Sequence, residues 1–335
     1  MTKQAAAAEN NHDTDVAVIG SGFGGSVAAH RLTEKGYSVT VFEKGRRWQP
    51  EDFPKTNWNI RKSFWFPKIG CRGIFAMRLL KEVLVLHGVG VGGGSLVYAN
   101  TLFEPPETVW DDPQWKGLED WREAMPEHFD SARRMLGVTE NPKLGPADEA
   151  LRSAAARRGK AETFRHTPVG IYFGDPDVTV PDPYFDGEGP ERTGCNFCGG
   201  CMVGCRPGAK NTLDKNYLWL AEKAGAQVVP DTLVTLVEEL PGGGYRLHWQ
   251  QNNGFLSSKK GVTTARQVVF AAGVLGTVRL LMECKEKGSL PAEAAFSHCA
   301  GARRSIPPGS SCTRPLPAAR PGIGPGRSQR RTDRC

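Results

Sequence analysis

The chain lacks the signals that would place it in a membrane or outside the cell. Across its 335 residues no uninterrupted apolar stretch approaches the roughly 18 residues that a spanning helix needs, so no transmembrane segment is expected. Residues 1–14 lack the basic-then-apolar plan of a secretory leader. With neither signal, a cytoplasmic location is expected. The nine cysteines then read as thiols or metal ligands rather than disulfides. Acidic residues are scarce in one region only. Residues 293–335 hold eight Arg and no Lys against Glu293 and Asp333, which is +6 of the formal +7. The rest of the chain is nearly neutral. Nucleic acid is therefore not expected as a partner, because a binding groove spreads its positive charge over folded elements. The length allows one large or two ordinary domains, and a 39% hydrophobic content is enough for a core.

The most informative segment present is residues 15–43, DVAVIGSGFGGSVAAHRLTEKGYSVTVFE. A buried-type strand from Val16 to Ile19 feeds the turn Gly20-x-Gly22-x-x-Gly25. A helical stretch follows, with Val27, Ala28 and Leu32 at helical spacing. Gly36 stands where a helix end takes a left-handed residue. A second strand, residues 37–42, ends at Glu43. Gly20 permits the tight turn, Gly22 lets a pyrophosphate approach the backbone, and Gly25 lets the helix pack close to the strand. The helix start offers free N–H groups and the positive end of its dipole to phosphate. Glu43, 23 residues after Gly20, is placed to accept from an adenosine ribose. Ala29, Leu32, Gly36, Val39 and Glu43 extend the pattern so that it resembles the FAD fingerprint at flavoprotein N-termini, which favours FAD over NAD.

Residues 45–86 carry Trp48, Phe53, Trp58, Phe64, Trp65, Phe66 and Phe75 with little periodicity. Large aromatics usually bury to pack, so this reads first as an irregular excursion over the cofactor domain, and second as part of a lid over an apolar substrate. Residues 83–100, VLVLHGVGVGGGSLVYAN, place glycines so densely that something must approach the backbone closely; a plain flexible loop is the alternative. Residues 105–190 are polar and Pro-rich, with helical patches over 121–136 and 147–158. A helix is expected over 211–224, strands over 227–240 and 245–250 around the turn Pro241-Gly-Gly-Gly244, and a strand over 267–272 that turns at Gly273 into a further helix.

The fingerprint, GVGVGGGSLVYAN and VVFAAGVLGTVRLL stand in that order, and together they resemble the glucose–methanol–choline (GMC) family of FAD-dependent oxidoreductases, most closely its cholesterol oxidase branch. The resemblance covers roughly residues 13–291. It implies an α/β fold: an FAD-binding Rossmann-type three-layer ββα domain with an inserted α+β substrate domain, here incomplete. The expected division runs 15–104 for the first part of the FAD domain, with 45–86 as its excursion, and 105–190 for the substrate or cap part. A Cys-rich loop follows at 191–210, and 211–292 returns to the FAD domain. Residues 1–14 and 293–335 are expected to be disordered. The resemblance further implies that Gly92, Gly93, Gly94 and Ser95 line the flavin phosphates and ring and that Asn100 sits near the isoalloxazine. Backbone around Leu236 would meet the adenine, and Ala272 and Gly273 would flank the ribityl–pyrophosphate region. Family members oxidise an alcohol by hydride transfer to the flavin, with a base that takes the hydroxyl proton. That base, a His with a second His or Asn, lies in the C-terminal part of the family's longer chains, and no residue here takes its place. The implied partners are an apolar alcohol such as a sterol, and oxygen or an electron-transfer protein as acceptor.

Cys195, Cys198, Cys201 and Cys205 form C-x2-C-x2-C-x3-C, followed by Arg206-Pro207. The spacing matches ferredoxin iron–sulfur runs apart from the interposed Arg206. A zinc knot and four free thiols are the other two readings. A cluster here would draw electrons off the flavin and make the protein a dehydrogenase. The segment from about residue 293 has no helical or strand period and cannot bury enough apolar surface to offset its ordering entropy. Out-of-frame readout of GC-rich coding sequence explains it, and the absence of a second family half, better than a natural basic tail does. Two functions from different classes follow: an FAD-dependent alcohol oxidoreductase, and a non-catalytic chain that keeps its flavin-binding elements alone. An NAD-linked dehydrogenase is a third.

Overall fold

Thr14–Ile19 forms β1 inside a six-stranded sheet, in a computed structural model that describes residues 12–56, 58–252 and 258–290. The expectations for residues 1–11 and 291–335, the out-of-frame segment among them, lie outside the described residues. β1 is buried at all but one position, as a strand covered on both faces requires. It begins at Thr14, inside the segment expected to be disordered, because Thr14 is buried and pairs with Ala265. Gly20 turns the chain into α1, Phe23–Glu34, and β2, Val39–Phe42, returns parallel to β1. Gly36 is left-handed with φ 83°, as its position past the helix predicts.

The excursion holds the hairpin β3, Phe75–Leu79, and β4, Leu84–Gly88. Trp48, Phe53, Ile74 and Phe75 bury together with Leu96, so these aromatics pack onto the glycine-rich loop. The hairpin's cross-strand pairs Met77–Leu86 and Leu79–Leu84 stay exposed, Leu79 at 81%. Two helices follow where helical patches are expected: α2, Trp121–Met135, capped by the Asp120 carboxylate, and α3, Pro146–Arg157.

The helix expected over 211–224 is broken. Leu213–Lys215 makes a 3-10 turn, and α4 spans only Tyr217–Lys223. Asn216 separates them with a non-helical backbone at φ −136° and ψ −97°, while its side chain accepts from the Tyr217 N–H at 2.6 Å. β5 (Gln227–Val229) and β6 (Thr232–Glu239) follow, then β7 (Tyr245–Asn252) and β8 (Ser258–Phe270). β8 is far longer than the strand expected over 267–272, because it pairs antiparallel with β7 before it reaches β1. It stops at Phe270, where the chain turns into α5, Gly273–Glu286.

Strand order is β5-β2-β1-β8-β7-β6. β5, β2, β1 and β8 are parallel, and β8, β7 and β6 form an antiparallel meander. One core packs α1 and α4 against Val16, Val18, Val39 and Val41 through Ala29 and Ala221. The other packs Val234, Val237 and Leu247 of the meander, with Leu280 and Cys284 of α5, against Ala17, Ile19 and Phe42. Helix, parallel sheet and meander thus make three layers, with the turn after β1 at the sheet's carboxyl edge.

Arg192 anchors the segment between α3 and α4. It is 1% exposed. Its guanidinium donates to the carbonyls of Pro190 at 2.6 Å and Lys215 at 2.7 Å and to Asn211 Oδ1 at 2.9 Å. Arg192→Met leaves these acceptors buried and unpaired. The expected loss is about 3 kcal/mol, read as a lower urea midpoint with unchanged slope.

Candidate dinucleotide-binding site

Gly20 closes the turn after β1 with φ 102°; its N–H donates to the Phe42 carbonyl at 2.8 Å, and the Ala271 N–H donates to Ile19 at 2.9 Å. The turn is therefore gripped from both neighbouring strands. A Cβ at Gly25 would stand 1.9 Å from the Gly20 oxygen, so helix and turn touch backbone to backbone. Gly22 is different: a Cβ there meets nothing within 4 Å. It is the N-cap of α1, without a side-chain cap and without an acid in the first turn. The N–H groups of this first turn have no intrahelical acceptor, which is what an anionic pyrophosphate needs.

The loop after β4 lies against this turn. Gly93, with φ 54°, would put a Cβ 2.7 Å from the Gly22 Cα. Ser21 ties the two loops together: its hydroxyl donates to Glu43 at 2.8 Å and accepts from the Gly92 N–H at 3.2 Å. Sequence reasoning missed Ser21 because it occupies a variable position of the glycine pattern. The Glu43 carboxylate is buried and accepts from the Ser21 and Gly45 N–H groups at 3.2 and 2.9 Å. Burial pushes its carboxyl above the ordinary range, against those hydrogen bonds. Three of its roughly four acceptor sites are filled, and one remains on Oε1 for a ribose hydroxyl.

The other expected residues divide into two groups. Gly92, Gly93 and Gly94 come to the front of α1, with Gly94 beside the Phe23 ring. Ala272 caps α5 with its Cα directly against Gly20, and Gly273 is the first residue of the helix. Ser95 turns inward: its hydroxyl donates to the Gly92 carbonyl at 2.7 Å and accepts from the Leu213 N–H at 3.0 Å, so it braces the loop. Leu236 packs on the meander core, four residues beyond Thr232, whose N–H is bound to the Glu43 carbonyl at 2.7 Å. Asn100 is 2% exposed and left-handed at φ 63°, and its Oδ1 has no partner. The Tyr98 hydroxyl is likewise buried without a partner, and burial raises its pKa to about 12. An open helix start, a glycine cradle and two orphaned polar atoms along one loop fit a bound dinucleotide.

The four cysteines do not fit a metal. Cys195, Cys201 and Cys205 pack against Val169, Ile171 and Ala209, whereas Cys198 is exposed. Among the described residues no group of three or more His, Cys, Asp or Glu side chains is arranged to hold an ion. Lys210, which no sequence period singles out, lies beneath this loop with its pKa pulled down to about 8 by burial.

Fold and site together define a dinucleotide-binding α/β protein. Residues 18–48 match the NAD(P)-binding Rossmann-like domain, and residues 190–284 match GMC oxidoreductase. A cholesterol oxidase of Mycobacterium tuberculosis H37Rv is 51% identical over 284 residues, 83% of this chain and 49% of that one. A cholesterol oxidase of Acinetobacter baumannii is 48% identical over 291 residues, 84% of this chain and 52% of that one. The solved structure of an FAD-dependent oxidoreductase from Chaetomium thermophilum has a similar fold, with a TM-score of 0.50 at 18% identity, covering 80% of this chain and 47% of that one. The chain belongs to the GMC oxidoreductase family. It spans about half the length of the cholesterol oxidases it matches.

Proposed function

We propose that this chain binds FAD and serves an oxidoreductase that acts on an apolar alcohol, a sterol or a comparable one. The observation that carries the reading is the meeting of the open α1 N-terminus at Gly22 with the Gly92–Gly94 loop. In this reading Gly20, Gly22 and Gly25 shape the turn that receives the pyrophosphate. Glu43 takes the ribose, the strand around Leu236 borders the adenine, and Ala272 and Gly273 close the site from behind. Asn100 offers its free Oδ1 toward the isoalloxazine. Bound FAD supplies the hydride acceptor; the protein's part is to hold and orient it. Support for an apolar alcohol comes from the cholesterol oxidase relatives and from the exposed leucines of the β3–β4 hairpin. Oxygen or an electron-transfer protein is the proposed acceptor.

The cysteine run has only its spacing in favour of an iron–sulfur cluster, and no electron route through it is part of the proposal. The six described cysteines are all free thiols, which supports a reducing compartment such as the cytoplasm. No helix among the described residues is long and apolar enough to cross a membrane. A second reading, flavin binding without turnover, rests on the described residues, none of which is assigned as the proton-accepting base. Anaerobic addition of cholesterol or a long-chain alcohol to the FAD-loaded protein separates the two. Bleaching of the visible flavin band is the outcome for an enzyme; retained flavin without bleaching supports the second reading. Absence of flavin with nicotinamide-dependent turnover contradicts both.

A further inference from the structure

Lys210 is 1% exposed, and its ammonium carries out no task in the dinucleotide site as described. All three of its protons are committed. Nζ donates to the carbonyls of Leu96 at 3.1 Å, Tyr98 at 2.7 Å and Cys201 at 3.0 Å, and it stands 4.7 Å from the centre of the Tyr98 ring. Burying an ammonium is expensive, and an apolar side chain would fill the same volume at lower cost. What the charge adds is direction: it orients three peptide carbonyls from two separate loops.

Those carbonyls are well placed. Leu96 ends the 3-10 turn Gly93–Leu96 that lies against Gly22. The Tyr98 ring meets Phe23, the first residue of α1, edge to face at 5.8 Å. Asn100 follows two residues later, left-handed and with its Oδ1 unpartnered. Cys201 belongs to the Cys-rich loop on the far side. We propose that Lys210 is a positioning residue that fixes the backbone of residues 96–100 against the Cys-rich loop, and thereby sets the shape of the flavin site and the aim of Asn100. It touches no cofactor itself. The inference rests on the FAD reading for its functional consequence and on geometry alone for its structural one.

The test has two arms. In the first, amide hydrogen exchange is followed in the flavin-free protein. Lys210→Met keeps the length of the side chain and removes the charge. It is expected to speed exchange in residues 93–100 while β1, β2 and β8 stay protected. Unchanged exchange in residues 93–100 overturns the assignment whether or not flavin binds. In the second arm, FAD affinity and the visible circular dichroism of the bound flavin are measured. Lys210→Met is expected to weaken binding about ten-fold and to shift the flavin signal. Lys210→Ala removes a propylammonium equivalent, so added propylammonium is expected to restore affinity and propanol is not. Wild-type affinity and signal in Lys210→Met, or equal effects of the two additives on Lys210→Ala, overturn it. A wild-type chain that takes up no FAD overturns the FAD reading, while the exchange arm still decides the role of Lys210.

Discussion

Gly25→Ala is expected to cost about 3–5 kcal/mol of stability, within the range reserved for severe overpacking. The added methyl would stand 1.9 Å from the Gly20 oxygen and 2.9 Å from its carbonyl carbon. Neither atom belongs to a side chain that can rotate away. The Gly20 N–H is held by Phe42, and Ala271 is held by Ile19, so both flanks of the turn are fixed by the parallel strands. Relief requires α1 to lift off the sheet, which exposes the Val16, Val18 and Ala29 core. Total stability of a domain is typically about 5–15 kcal/mol, so this single methyl removes a large part of it. Urea unfolding measures the loss, and a midpoint equal to that of the wild type contradicts the packing described for the turn.

Gly22→Asp is expected to do the reverse, leaving the fold intact and removing the cofactor. A Cβ at this position meets nothing within 4 Å, and the backbone is already extended at φ −71° and ψ −166°. Aspartate is a good N-cap, and α1 has no side-chain cap, so the flavin-free protein should gain a few tenths of a kcal/mol. The same carboxylate occupies the N–H groups that a pyrophosphate needs and repels its charge. FAD affinity should fall at least about 100-fold, which is about 2.7 kcal/mol. Thermal unfolding and flavin titration on one preparation check both halves of the prediction. Equal flavin affinity in this variant places the pyrophosphate elsewhere.

The division between these two glycines was legible in the sequence, since turn, close packing and ligand approach each impose a separate demand on the pattern. The strand–turn–helix around it, Glu43 at the end of β2, and Gly273 at the start of α5 follow from local periodicity. Three features do not. The break at Asn216 depends on one side chain capping its neighbour's N–H, which leaves the helical spacing of Leu213, Tyr217 and Leu220 undisturbed. The length of β8 is set by its pairing with β7, a contact with no local signature. Ser95 reads as a loop-lining hydroxyl, yet it turns inward because the Leu213 N–H, 118 residues away, needs an acceptor. The cysteine spacing left an iron–sulfur cluster, a zinc knot and free thiols open. Spacing alone does not determine which thiols face the Val169 and Ile171 patch and which face water.

This turn and this loop are proposed to hold FAD. The most direct measurement is the FAD content of the purified chain after incubation with FAD and removal of free ligand, with Gly22→Asp and an excess of NAD run in parallel. The expected result is one FAD per chain with quenched flavin fluorescence, no displacement by NAD, and loss of the flavin in Gly22→Asp. A chain that retains no flavin, or that retains as much in Gly22→Asp as in the wild type, contradicts it.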